Sequence, residues 1–277
     1  ARRAVVSLSL GKRTHFAVTR VALSAYAARV GAELHVVDSL GHPSFADWNR
    51  TVARRANSGT PVNSHFLKLP MLQWFLQRFD RVLFLDDDVL VSPFAPDLFA
   101  AVPCTSVGAV VEVAHKQGWH TMHARAMCSL YNLGDDACGK AALGAARIFN
   151  SGVMLLSSAH RPLVEGWKTE KLECKILCDQ LYLNAMVRRH EVCLQDLGGG
   201  FNMPGTQVRK FIVSTAQQRA AMDEPPELRG SPLATACMVH DGTRLGLRAP
   251  HTHSSAAHLP LLLPLQVHLT VLPAKPH

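Results

Sequence analysis

Hydrophobic and polar positions change rhythm several times along the chain, and the changes predict alternating strands and helices. Residues 4–10 alternate and then run apolar, as a strand does. Thr14 or His15 can open a helix from Phe16 to about Arg29, closed at Gly31, and residues 33–37 form a second short strand. A β-α-β beginning predicts a parallel sheet with a right-handed crossover. Positions 39–64, with Gly41-His42-Pro43, Trp48-Asn49 and Asn57-Ser58-Gly59, are polar and turn-rich and predict an irregular connection. Helical spacing returns over residues 64–77 through Phe66, Leu69, Leu72, Trp74, Phe75 and Leu76, with Pro70 tolerated in the first turn.

Residues 81–91, Arg81-Val82-Leu83-Phe84-Leu85-Asp86-Asp87-Asp88-Val89-Leu90-Val91, run from an apolar stretch directly into three carboxylates. They predict a buried central strand with acids at its carboxyl end. Further on, one helical turn is expected over residues 96–100 and a buried strand over 107–113. Residues 114–148 lack a clear period and read as a long irregular insertion, a functional loop or lid. Residues 148–156 form an apolar strand interrupted by Asn150-Ser151-Gly152, and a glycine there suggests another chain or a ligand passing close to the backbone. A helix is expected over 163–177 with Trp167 inward, and another over 181–189, opened by Asp179-Gln180 with Asp179 a good N-cap. Strands follow at 192–197 and 236–239, the latter ending at His240-Asp241-Gly242. Residues 246–277 are rich in Pro, Leu and His without periodicity and predict an irregular tail.

The carboxyl edge of an open α/β sheet is where ligands bind, so the acid cluster is placed for chemistry. Asp86 and Asp88, two residues apart on an extended chain, project to one side. Held close they repel unless a cation lies between them, so they are the expected metal pair for a hard divalent ion that also takes phosphate oxygens. A plain polar strand end is the blander account, and three adjacent acids are costly without compensation. Lys68, near a helix amino end, adds charge where phosphate is already attracted. His115, His120 and His123 invite a zinc reading, but they lack finger spacing, and exposed loop histidines are the better expectation.

Composition narrows the classes. With 48% hydrophobic and 18% charged residues in 277, there is material for a core and little for disorder. The formal charge of +8 suits a polyanionic partner. Without a dense basic run interleaved with aromatics, a phosphorylated small molecule is favoured over nucleic acid. Seven cysteines leave at least one unpaired. Cys174 and Cys178 share a helical face, Cys128 and Cys138 could close a loop, and the redox compartment is left open. No apolar run is long enough to span a bilayer, which is compatible with a tether elsewhere in a parent protein.

In order and spacing, Lys68-Leu69, the Asp86-Asp87-Asp88 strand, Phe149-Asn150-Ser151-Gly152-Val153, Asp179-Gln180 with Asn184, and Phe201-Asn202 resemble the glycogenin-like and galacturonosyltransferase-like glycosyltransferases of family eight. The resemblance covers about residues 4–245. It implies a single Rossmann-like nucleotide-sugar transferase domain of GT-A type over 1–245, with a mostly parallel central sheet flanked by helices. It further implies a manganese ion on Asp86 and Asp88, and a UDP-linked donor bound through Lys68, Asp87, Asn150 and Gly152. Asp179 and Gln180 would lie beside the anomeric carbon, and a hexosyl or related unit would pass to a glycan or glycoconjugate with retention. Front-face attack and a covalent intermediate on Asp179 both remain open. The third metal ligand of the family is a histidine. His240, at a strand end, is preferred here to His268, although neither carries the whole closing motif. Residues 9–16 match the family's base pocket loosely, so base identity has no support of its own.

Two rivals remain. One is a haloacid-dehalogenase-like phosphatase, which would want Gly-Thr after its aspartates where this chain has Val89-Leu90. The other is an inactive relative that binds nucleotide sugar or carbohydrate. By analogy, the expected compartment is the Golgi or secretory lumen, with the cytoplasm as the alternative.

Overall fold

The computed structural model describes residues 1–11, 13, 16–57, 64–111, 117–134, 138, 148–170, 177–198, 203–204 and 238–240. For 52–57, 64, 117–120, 203–204 and 238–240 it describes the backbone alone. The tail at 246–277, with it the boundary of the 1–245 domain, and His115, His268 and Phe201-Asn202 lie outside the described residues.

The α/β expectation holds. A six-stranded sheet runs in the order β2-β1-β3-β6-β5-β7, built from β1 (Arg3–Leu8), β2 (Glu33–Val37), β3 (Arg81–Leu85), β5 (Ser106–Val111), β6 (Phe149–Ser157) and β7 (Cys193–Asp196). β1 is parallel to β2 and β3, β7 is parallel to β5, and β6 alone runs against its neighbours. The sheet is therefore mostly parallel. Every residue of β3 is buried, and its side chains alternate between two core layers. Val82 and Phe84 join Leu69, Phe75, Trp167 and Tyr182 on one face. Leu83 and Leu85 join Leu23, Tyr26 and Phe99 on the other. Helix α1 (Phe16–Arg29) has the expected limits, and Gly31 beyond it adopts φ +64°, the left-handed conformation a helix exit favours.

Four expectations are corrected. The 39–64 stretch is not wholly irregular: a 3-10 turn (Pro43–Phe45) leads into α2 (Ala46–Asn57). Phe45 and Trp48 anchor it in the core, with Trp48 against Trp167 at 5.4 Å between ring centroids. Two large aromatic side chains bury enough area to hold a helix whose remaining residues are mostly polar. The 114–148 insertion contains α5 (Gln117–Tyr131), fifteen residues long. Its inward stripe of His123, Ala124, Met127 and Tyr131 is buried, and helical spacing brings these onto one face. His123 is thus not an exposed loop histidine. Over its described residues 163–170, the expected helix at 163–177 is instead α6 (Pro162–Glu165) followed by a 3-10 turn (Gly166–Lys168). Trp167 nevertheless points inward and donates to Gln73 at 2.9 Å. Finally, the run through residue 91 is two strands. β3 stops at Leu85 and β4 (Val89–Val91) joins a second sheet of order β4-β9-β8, with β8 at Met203–Pro204 and β9 at Met238–His240.

Cys128 and Cys138 are joined as a disulfide, Cys178 is disulfide-bonded as well, and Cys104 and Cys193 are free and exposed. No described helix is long and apolar enough to cross a membrane.

Candidate active site

Because β6 enters the sheet antiparallel, its amino end lies beside the carboxyl end of β3. Leu85 pairs with Val153, and the Asp86 N–H donates to the Gly152 carbonyl at 2.9 Å. There the chain turns, with the Val89 N–H returning to the Asp86 carbonyl at 3.1 Å. Thr19, in the first turn of α1, donates its hydroxyl to the Asp87 carbonyl at 2.8 Å and pins the turn from the other side. Arg13, from the loop after β1, lies 3.6 Å from the Asp87 carboxylate. This loop and the aspartate turn meet at the edge between β1 and β3, where the strand order reverses, the crevice in which open α/β sheets take ligands.

Lys68 opens α3 (Lys68–Leu76), and its ammonium points into this edge rather than out to solvent; the residue is 6% exposed. It lies 2.6 Å from Asp179 Oδ2 and 3.2 Å from Asp86 Oδ1. It also donates to the Ser151 carbonyl at 3.0 Å and the Ser151 hydroxyl at 3.1 Å, and stands over the Phe84 ring at 4.6 Å. Burial alone would lower the lysine's pKa, but the charges of Asp179 and then Asp86 outweigh it and hold the pKa above its ordinary value. Three protons thus serve four oxygens on three residues. Lys68 was expected to attract phosphate. Here its ammonium is engaged with protein carboxylates.

The polar interruption in β6 has a geometric meaning. Along β5, Ala109 pairs with Met154 while its neighbour Val110 pairs with Asn150, so three residues of β6 bulge out of that ladder. A bulge re-aims the side chains it carries. Ser151, on the bulge, donates its hydroxyl to Asp179 Oδ2 at 2.8 Å, and its N–H reaches Gln180 Oε1 at 3.4 Å. Asn150 folds back to accept the Gly152 N–H at 2.7 Å.

Asp179 and Gln180 lie in the first turn of α7 (Cys178–Arg189), both buried. The N-cap is Leu177, held left-handed at φ 54°, so the expected capping role of Asp179 is not observed. Asp179 instead turns toward Ser151 and Lys68. Asn184 ties the helix to β6, accepting the Phe149 N–H at 3.0 Å and donating to the carbonyls of Phe149 at 2.9 Å and Gln180 at 2.8 Å. The exposed ring of His65 approaches the other carboxylate oxygen of Asp179 at 3.8 Å.

Lys68, Asp86, Gly152, Asp179 and Gln180 therefore share one cluster, with Asn150 at its border. Asp87 and Asp88 lie in the adjoining turn. Register sets the backbone of His240 opposite Val89, the residue after Asp88. Ser151, Arg13, Thr19 and His65 were not singled out from the sequence. A strand serine and a helix threonine have no local signature, because their partners lie 28 and 68 residues away.

No group of three metal-ligating side chains is present among the described residues. The donor chemistry nevertheless suits a hard divalent cation. Lys68 and Arg13 offset two of the four carboxylates Asp86, Asp87, Asp88 and Asp179, so these six residues carry a formal charge of minus two, with oxygen donors only.

No family model matches the chain, and no curated protein does. Among solved structures, the chain is similar to a glycosyltransferase involved in glycosylating the major capsid of PBCV-1 (12% identity, 87% of this chain and 92% of that one, TM-score 0.49). It is also similar to an active-site mutant of LgtC (17%, 87% and 88%, 0.47) and to mouse xyloside xylosyltransferase 1 (14%, 87% and 97%, 0.47). All three TM-scores fall below 0.5, so the functional reading stands on the chain's own residues.

Proposed function

We propose that this chain is a metal-dependent glycosyltransferase moving a hexosyl or related unit from a UDP-sugar to a glycan or glycoconjugate acceptor with retention. The observation that carries this reading is the buried Lys68 ammonium joining Asp86, in the aspartate turn, to Asp179, at the mouth of α7. Asp86 and Asp88 would hold manganese, with His240 on the neighbouring strand as third ligand. A bound manganese ion would neutralise the diphosphate as the sugar departs.

The remaining work falls to the protein. Asn150 and Gly152 line the rim of β6 beside the turn, where the donor sugar would lie. Gln180 is held by the Ser151 N–H. Asp179, tied through Oδ2, leaves Oδ1 on the side that His65 borders. A fixed carboxylate there favours positive charge developing at the anomeric carbon, whether attack is front-face or through Asp179 itself. The Cys128–Cys138 disulfide and a disulfide-bonded Cys178 support a Golgi or secretory-lumen setting, where such bonds persist.

The test is incubation with UDP-glucose, UDP-galactose and UDP-xylose in manganese, measuring UDP release with and without chelator. Release that the chelator removes supports the transferase. Binding without release would make the protein an inactive relative, and phosphate release from simple monoesters would make it a phosphatase. Asp88→Ala is expected to abolish both donor binding by calorimetry and manganese binding by paramagnetic resonance while the melting curve stays cooperative. Unchanged donor affinity in that variant removes the metal site as assigned.

A further inference from the structure

We propose that Ser151 is a positioning residue for sugar transfer, acting through Asp179. This rests on the transferase reading above. Ser151 is 5% exposed, and it hydrogen-bonds to Lys68, Asp179 and Gln180. Its hydroxyl donates to Asp179 Oδ2 (2.8 Å) and accepts from Lys68 (3.1 Å), its carbonyl accepts from Lys68 (3.0 Å), and its N–H points to Gln180 (3.4 Å).

A lysine ammonium is a rotating point charge that fixes a carboxylate in distance but poorly in angle. The hydroxyl supplies the missing direction. With Oδ2 held from two directions, the carboxylate plane of Asp179 is set and Oδ1 is left on the side where His65 stands 3.8 Å away. The bulge in β6 delivers the hydroxyl there, because it frees residues 151–153 from pairing with β5 and re-aims the side chain. Asp179 therefore presents Oδ1 in one orientation before donor arrives, and an angle held in advance acts on turnover rather than on ground-state binding.

The test compares wild type, Ser151→Ala, Asp179→Asn and the double variant in UDP release from the UDP-sugar that wild type turns over fastest. Ser151→Ala is expected to lower kcat by about 10- to 50-fold with KM within about twofold. Asp179→Asn is expected to lose more, and adding Ser151→Ala to it is expected to cost no further than about twofold, because the hydroxyl then has no carboxylate to orient. Multiplicative losses, a change confined to KM, or wild-type kcat in Ser151→Ala would each overturn the proposal while leaving the transferase reading standing. Absence of release by wild type overturns that reading and this inference with it. Should Ser151→Ala melt more than about 5 °C below wild type, Ser151→Cys fills the same space with a weak hydrogen-bonding group and is judged by the same criteria.

Discussion

A buried cation lies at each end of strand β3, and the two are partnered in opposite ways. At the carboxyl end, Lys68 meets two carboxylates, Asp179 and Asp86. At the amino end, Arg81, 5% exposed, donates to the carbonyls of Val102 at 2.9 Å and Phe99 at 3.5 Å and to Cys104 Sγ at 3.1 Å. Beside it, Ser157 donates to the Cys104 carbonyl at 2.6 Å and its N–H to His160 Nδ1 at 3.0 Å. Carbonyl dipoles take up the two terminal nitrogens of this guanidinium, leaving Nε buried without a partner, and they supply no negative charge with which to recruit a ligand. The carboxylates at the other end outnumber their cations. The same strand is thus stapled at its amino end and charged at its carboxyl end, and burial of a cation does not by itself mark function. The partners do.

The sharpest way to break this contrast is to remove each cation in turn. Lys68→Met leaves Asp86 and Asp179 facing each other without their shared counter-charge. UDP release is expected to fall by more than about 100-fold, with a stability loss of about 3 kcal/mol in urea, since removing one partner of a buried ion pair strands the other. Arg81→Met strands two carbonyls instead. It is expected to cost about 2 kcal/mol in the same titration, with kcat within about twofold of wild type. If Arg81→Met were to abolish turnover with intact folding, the two ends would be coupled and the contrast would fail.

The carboxyl end was readable from sequence more fully than the amino end, and the reason is local density. The start β1-α1-β2 and the step from Leu85 into Asp86-Asp87-Asp88 are contiguous signals. The interruption at Asn150-Ser151-Gly152 reads in the sequence as a place where a chain or ligand passes close to the backbone, but not as the start of a bulge at residues 151–153 that aims Ser151, because Ser151 meets Lys68 across 83 residues. Helix α5 escaped because His123 and Ala124 dilute the apolar stripe that Met127 and Tyr131 continue. The second sheet was legible only in β9, expected as the strand at 236–239; β4 and β8 span three and two residues, too short for a period to show. Arg81 carries no signal of its own at the head of the 81–91 stretch. Nothing in its neighbours says that carbonyls 18 and 21 residues later close over it.

The two ends also differ in how acid should reach them, which gives the smallest effect. His160 has its pKa lowered by burial, with a hydrogen bond to the Thr105 backbone working against this and the Arg81 charge adding to it. Its Nδ1 accepts the Ser157 N–H, so protonation there would break that bond. In the unfolded chain the imidazole titrates near its ordinary value of about 6.5. The folded state therefore binds fewer protons in the window just below that value. Stability from His160 is complete above the unfolded pKa and is lost as pH falls toward the folded one. Lys68, raised rather than lowered, keeps its charge in both states across this range and contributes no slope. His42, also lowered by burial and then by His35 and Arg78, adds a slope of the same sign from α3's neighbourhood. The melting temperature is thus expected to drop between about pH 7.5 and 5. His160→Asn, whose amide oxygen can still accept from Ser157, should make that drop shallower. An unchanged slope in His160→Asn would mean that the amino end of β3 is indifferent to acid and that the difference between the two ends stops at their partners.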